Sequence, residues 1–431
     1  MGLLIDYLYV LTIATIRAYK WLELRVLQLF SGTIQKLWIY YSENWLGIVV
    51  HLPDQPLKKI SEKEEKRILA SCGYNSLIHL KVNNLSIFTR SANTGSLAMG
   101  EAYVNGDWET LNGEEDITEM SCRMFDKNTH KYFFNWWPIN RFLFWLEHHA
   151  FNLQTMGRAF EVGKKHYDLG NDLFESFLDP WMQYTCGYWA KADNLNDAQL
   201  HKLELIAKKL DLKPGMRVLD AGCGWGTLCK YLAENYEVEC VGITVGAEGV
   251  RYAEENCKGL KTEFRVQDYR DINEKFDRIV SIGMFEHVGY HNYRKCLEVL
   301  HNCLKDDGIL LLHMIGVNHK NMWLTEPFTH KYIFPNGQFP YYKDVVEKIE
   351  GLFIIEDWHN FGPDYFKTLE AWRDNFKRNW PTIADKYGER FYRLWNLYLS
   401  ASASLFKSRK GQLWQIVLSK DGLRREYRAA R

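Results

Sequence analysis

Residues 216–226 read MRVLDAGCGWG, and the reading of this stretch decides the fold. Val218 and Leu219 suit the end of a buried β-strand, Asp220 closes it, and Gly222, Gly224 and Gly226 let the backbone turn tightly into a helix. Such a turn can cradle a ligand at a helix N-terminus. The spacing excludes two nucleotide chemistries: a dinucleotide fingerprint needs G-x-G-x-x-G, and a phosphate loop needs G-x-x-x-x-G-K-[ST]. The plain alternative is a structural turn with no ligand.

The surrounding sequence bears on that choice. From about Val162 the texture alternates between strand-like and helix-like segments. Residues 196–210 place Leu200, Leu203, Ile206, Ala207 and Leu210 at helical spacing, and Pro214-Gly215 ends the run. Strands are expected over 217–220, 238–244, 262–267, 276–283, 308–315, 352–358 and 413–418. The fold class is therefore α/β, a doubly wound, mostly parallel seven-stranded sheet. Ligands of such sheets sit outside the carboxyl ends of the strands. The motif glycines, Thr244, Gln267, Asp268, Glu286 and His313 all fall at or just after expected strand ends, which makes one sheet edge a binding site.

Lys plus Arg and Asp plus Glu both number 54 in 431 residues, so no basic excess marks a nucleic-acid binder. The nine cysteines are odd in number and include no C-x-x-C pair, which fits a reduced, cytoplasmic chain. Metal-site spacings of the H-E-x-x-H or H-x-E…C-x-x-C kind are absent. Aromatic residues reach 15%, enough for large cores or for walls around an apolar or cationic ligand.

The apolar run of residues 3–16 is interrupted by Asp6 and followed by Arg17 and Lys20, too short to span a bilayer. Through residue 41 the pattern stays amphipathic, with Trp21, Leu22, Val26, Leu29, Phe30 and Trp38 punctuated by Arg25 and Lys36. Residues 1–52 thus form a helical arm that either lies on a membrane surface or packs on another domain or subunit; membrane attachment is the favoured expectation. Residues 53–66 read as a polar linker. Residues 63–150 form a small α+β domain, with short strands at 77–80 and 85–88 around the Asn83-Asn84 turn and a helix at 116–125. The aromatic-rich segment 135–151 is expected to be a core helix, placed where a hinge or lid could sit. Residues 160–431 form the third and largest domain.

Three stretches place reactive groups among apolar neighbours: QYTCGYW at 183–189, MFEHVG at 284–289 and HMIG at 313–316. A buried carboxylate or imidazole is costly unless paired, so Glu286 should meet a cation or a donor. The bland alternatives are a helix N-terminal Glu286 beside an exposed His287, a hydrogen-bonded core His313 and an inert Cys186.

The blocks HYDLGNDLF, LDPWMQYTCGYW, VLDAGCGWGT, QDYRDI, FDRIVSIGMFEHVG, KYIFPNG, EDWHNFGPDY, LWNLYLSA and LWQIVLS resemble the cyclopropane-fatty-acyl-phospholipid synthases and their mycolic acid relatives, over about 163–418. The resemblance implies a class I methyltransferase fold and transfer of a methylene from S-adenosyl-L-methionine to a cis double bond of a phospholipid acyl chain. It also implies a bound bicarbonate as base, a homodimer, and peripheral attachment to the inner face of the membrane. On matching positions it implies that Cys186 and Ile315 border the anion, that Glu286 orients it, and that His313 and Tyr365 donate to it. Tyr184, Thr185, Asp220, Gly222, Gly224, Thr244, Gln267 and Asp268 would contact the sulfonium cofactor. Two departures stand out. Where the family often has T-x-S-x-x-Q, Thr244 here leads into Gly246 and Gly249, which puts the ribose contacts in question; and Ser402 replaces a cysteine of some relatives. Branched or hydroxylated lipid, or lipid binding without catalysis, are the rival outcomes.

Overall fold

A computed structural model describes residues 2–125, 152, 154, 169–319, 327–424 and 426–431, with residues 2–8 described by backbone alone. The expected aromatic helix at 135–151 and His166 to Asp168 of the first family block lie outside the described residues. The chain divides into two compact units: residues 1–152 with 326–331 and 384–408, and the remainder.

In the first unit, α1 (Gly2–Leu29) and α2 (Ser31–Leu46) precede a three-stranded sheet. Its strands are β1 (Ile48–His51), β2 (Ile78–Val82) and β3 (Trp108–Thr110), in the order β1-β2-β3, with the first pair parallel and the second antiparallel. Three sequence expectations are corrected here. The stretch read as a linker carries a helix, Glu62–Cys72, because Ser61 caps its N-terminus, its Oγ accepting from the Glu64 N–H, and Ile68 is buried beneath charged neighbours. The stretch read as a second strand of a hairpin is the helix Ser86–Thr94, which buries Ile87 and Phe88 side by side. The third correction is one of division: the helix Ala384–Lys407, expected with the large domain, packs in this unit. Arg393 donates to the Tyr103 and Trp108 carbonyls, Asn396 donates to the Tyr103 hydroxyl, and Trp395 is buried.

Arg123 ties this unit together. Its guanidinium donates to the Leu46 carbonyl at 2.8 Å and to Ser76 Oγ at 3.3 Å, pairs with Glu119, and lies over the Tyr74 ring. Arg123→Met leaves that buried carbonyl unsatisfied and should cost about 3 kcal/mol, read from urea unfolding. An unchanged midpoint would remove Arg123 from this role.

The second unit holds a seven-stranded sheet of order β6-β5-β4-β7-β8-β10-β9. The strands are β4 (Arg217–Ala221), β5 (Glu239–Thr244), β6 (Thr262–Val266), β7 (Phe276–Ile282), β8 (Leu304–Val317), β9 (Ile354–Asn360) and β10 (Gly411–Ser419). All seven expected strands are present. Pairings from β6 to β8 are parallel, and β10 runs antiparallel to both β8 and β9. Both faces are covered, as parallel sheets require. Val218, Cys240, Val280 and Leu311 point into one core, while Leu219, Val241, Ile279 and Leu312 point into the other.

The strand order fixes where a ligand can enter. The chain steps from β4 outward to β5 and β6, then returns to place β7 on the opposite side of β4. The helices that follow β4 and β7 therefore diverge, and a crevice opens beyond the carboxyl ends of those two strands.

Candidate active site

The glycine turn forms the floor of that crevice. Gly222, Gly224 and Gly226 all have positive φ, at 96°, 54° and 79°. A Cβ on Gly222 would lie 2.8 Å from Met284 Cβ, at the end of β7, so the two rims approach as closely as a bare backbone permits. The Gly222 and Cys223 N–H groups both donate to the Ile243 carbonyl, which locks the turn to β5. The apparent departure at Gly249 has a physical cause. A Cβ there would meet the Gly224 carbonyl oxygen at 2.5 Å, so glycine lets the helix Ala247–Asn256 rest against the turn.

Asp220 is 3% exposed, and burial pushes its carboxyl up to about 7. The Cys229 thiol stands 3.8 Å from its Oδ2, and Oδ1 has no partner among the described residues. Thr244 accepts from the Gly246 N–H through its hydroxyl, while its carbonyl takes the Gln267 N–H, so Gln267 follows directly from β6 at the same edge. Asp268, expected to contact the cofactor, also has local partners. Its oxygens accept from the Arg270 backbone and guanidinium, capping the turn Tyr269–Asp271.

Glu286 opens the short helix Phe285–Val288 after β7. Its Oε1 accepts from the Ile315 N–H at 2.6 Å, which bridges the helix to β8; Oε2 has no partner among the described residues. Burial pushes this carboxyl up to about 7 as well. His313 lies two residues before Ile315, so both side chains leave the same face of β8. The Gln415 amide nitrogen lies 3.2 Å from His313 Nδ1 and donates to it, which puts the ring proton on Nε2, itself without a partner among the described residues. Burial, with the Lys202 and Lys209 charges, holds His313 neutral, well below the usual imidazole range. Gly316 is glycine because any Cβ would enter the Trp414 ring. The exposed-histidine reading of His287 does not hold, since its ring packs on Phe334 and burial lowers it to about 4.

The segment 183–189 approaches the end of β7, where a Cβ on Gly283 would lie 3.0 Å from Thr185 Cγ2. Cys186 is fully buried, and burial pushes its thiol well above the ordinary value. Thr368 Oγ1 accepts from the Gly187 N–H and the Trp189 indole, tying this segment to the helix Gly362–Asn379, which also carries Tyr365. Tyr184 sits among Phe174, Phe177, Phe334 and Trp372, and Tyr365 meets the edge of the same Trp372 ring. The structure thus links Cys186 with the helix of Tyr365 and joins Glu286 to Ile315.

Lys202 escaped the sequence reading. Only 1% exposed, it donates to Thr185 Oγ1 at 2.7 Å, and burial lowers it to about 8 against the fields of Asp179, Cys186 and Asp220. The signal was present: Lys202 and Lys209 are seven apart, on the helix Leu195–Leu210 that also buries Ala198, Gln199 and Ile206. Lysines at inward helical positions need partners.

A buried carboxylate with one orphaned oxygen, above a glycine turn at a switch point, fits the polar end of a sulfonium nucleoside. The comparisons agree. The Mycolic acid cyclopropane synthetase family matches residues 154–416. The chain is 46% identical over 382 residues to the cyclopropane-fatty-acyl-phospholipid synthase of Escherichia coli K12, spanning 89% of this chain and 98% of that protein. It resembles the solved cyclopropane synthase MmaA2 of Mycobacterium tuberculosis at 30% identity and a TM-score of 0.59, covering 63% of this chain and all of that one. A mycolic acid cyclopropane synthase complexed with SAH and CTAB matches at 31% identity and a TM-score of 0.58, over 61% of this chain and 98% of that one. With its seven-stranded class I sheet, its glycine turn and these matches together, the chain belongs to the mycolic acid cyclopropane synthetase family of S-adenosylmethionine-dependent methyltransferases.

Proposed function

We propose that this enzyme, whose family transfers a methylene from S-adenosyl-L-methionine to lipid, acts on cis double bonds of phospholipid acyl chains, with bicarbonate as base. The observation that carries the reading is two unpartnered groups, Glu286 Oε2, on the carboxyl that takes the Ile315 N–H, and His313 Nε2, on the residue two positions before Ile315 in β8. One is an acceptor and the other a donor, both out of water, which suits a small anion that carries a hydroxyl. The orphaned Asp220 Oδ1 and the crowding at Gly222 support a cofactor at the neighbouring rim.

When bound, the cofactor supplies an electrophilic methyl and bicarbonate takes the proton released as the ring closes. The chain's own residues do the rest. Asp220, Gly222, Gly224, Tyr184, Thr185, Thr244, Gln267 and Asp268 would hold the nucleoside. Glu286 would accept a hydrogen bond from the hydroxyl of the anion, and His313, neutral with its proton on Nε2, would donate to it without adding a positive charge next to a cationic substrate. Tyr365 would donate from the facing helix, and Cys186 would border the anion through its backbone. The rings around Tyr184 exclude water and present π faces, which stabilise developing positive charge on an alkene.

Incubated with S-adenosyl-L-methionine, bicarbonate and vesicles of cis-unsaturated phospholipid, the protein should add the mass of one methylene per modified double bond, read by lipid mass spectrometry. The product should lack both the double bond and a methyl branch. A branched or hydroxylated product, or turnover that ignores the double bond, would overturn the reading.

A further inference from the structure

We propose that the outward face of α1, continued onto the first turns of α2, is a docking surface for an anionic phospholipid bilayer, with α1 lying in the plane of the headgroups. The choice of occupant rests on the reading of the substrate as a bilayer lipid; the surface itself rests on the following geometry. Val10, Leu11, Trp21, Leu22, Leu29 and Phe30 are all exposed, Leu29 to 80%. From Val10 to Leu29 they run along one helix for about 30 Å at its rise per residue. The opposite side is occupied. Lys20 donates to Glu23 and to the Asn93 carbonyl, Asn93 donates back to Glu23 and to the Lys20 carbonyl, and Trp38 meets the edge of Phe88.

Charge is segregated in the same sense. Between residues 9 and 46 the two acidic side chains, Glu23 and Glu43, are buried and paired with Lys20 and Lys58. The exposed charged side chains there, Arg17, Arg25 and Lys36, are all basic, and Arg25 stacks over Trp21 at 5.2 Å. An exposed apolar stripe that carries only cations among its charges, one of them stacked on a tryptophan, matches the boundary of anionic headgroups and acyl chains. It suits a second copy of this chain poorly, because a two-fold contact across the face would bring three cations against the same three. Among the described residues no helix is long and apolar enough to cross a membrane, so the face would lie on the bilayer surface.

The test uses the full chain, and vesicles of fully saturated phosphatidylglycerol and phosphatidylcholine, so that binding is read with no double bond to modify. Wild type should float with these vesicles, weaken as salt rises, and bind roughly tenfold less to phosphatidylcholine alone. The variant Trp21→Ser, Leu22→Ser, Leu29→Ser should lose roughly tenfold or more of its partition. The variant Arg17→Gln, Arg25→Gln, Lys36→Gln should lose the preference for the anionic lipid. Both should keep wild-type melting and wild-type turnover on detergent-dispersed unsaturated lipid. Wild type that fails to float, a serine variant that floats as well as wild type, or a wild-type dimer that the serine variant turns into a monomer would each overturn the proposal. Absence of methylene addition to the detergent-dispersed unsaturated lipid, by a wild type that floats with the saturated vesicles, would instead strike the catalytic reading alone.

Discussion

Glu286→Gln should lower turnover on cis-unsaturated lipid by roughly 100-fold or more while leaving the dissociation constant for S-adenosyl-L-methionine within about threefold. The substitution is nearly isosteric, and the amide oxygen still accepts the Ile315 N–H that bridges to β8. The bridge therefore survives and the fold with it. What changes is the second atom, where an unpartnered acceptor becomes a donor and can no longer receive a hydroxyl. Turnover and calorimetry on the same preparation separate the two effects. The pH profile adds a third reading. Because burial places Glu286 near 7, activity that needs its ionised form rises as pH passes through that value. In the glutamine variant this limb should vanish. A variant of full activity would remove Glu286 from proton transfer.

Asp220→Asn should have opposite effects on stability and on cofactor binding. The native carboxyl titrates near 7, far above the ordinary 3.8, because burial penalises its charge. A raised acid means that the native state holds its proton more tightly than the unfolded chain does. Stability is then fullest below about pH 4, falls as pH rises towards 7, and levels off above it. The span of the shift corresponds to a loss on the order of 4 kcal/mol above pH 7, and Glu286 adds a loss of the same sign. Asparagine cannot ionise, so the ligand-free variant should match wild type at pH 4 and exceed it by about 2 to 4 kcal/mol at pH 8. Lys202 stays satisfied through Thr185 Oγ1 in either case. The same variant should lose the rise in melting temperature that S-adenosyl-L-methionine confers on wild type, since in the proposed binding mode the charge that costs stability is the one offered to the ligand. Urea unfolding at both pH values, with and without the cofactor, checks this. A variant less stable than wild type at pH 8 would show that Asp220 is stabilised by its surroundings.

Both predictions turn on residues visible before any coordinates, and so does the sheet. The central strands were legible because a strand buried on both faces must be a near-continuous apolar run, as in Ile309 to Leu312, whereas the edge strands β6 and β9, with one buried residue each, were legible from their place in the alternation of strands and helices. The N-terminal unit was harder to read. The helix Glu62–Cys72 buries one residue, Ile68, so its composition resembled a linker, and Ser86–Thr94 has its large apolar side chains, Ile87 and Phe88, side by side, too short a run to separate helix from strand.

By itself the sequence determined the order of strands along the chain in the second unit, the glycine turn, and the acidic and imidazole groups at strand ends, because local periodicity and spacing encode these. Tertiary structure alone decided which groups are left without partners, that the helix Ala384–Lys407 joins the first unit, that Lys202 is buried against Thr185, and which side of α1 is bare. Those properties depend on what packs against a residue from segments as much as 293 positions away, as between Asn396 and Tyr103, and no local pattern carries that information.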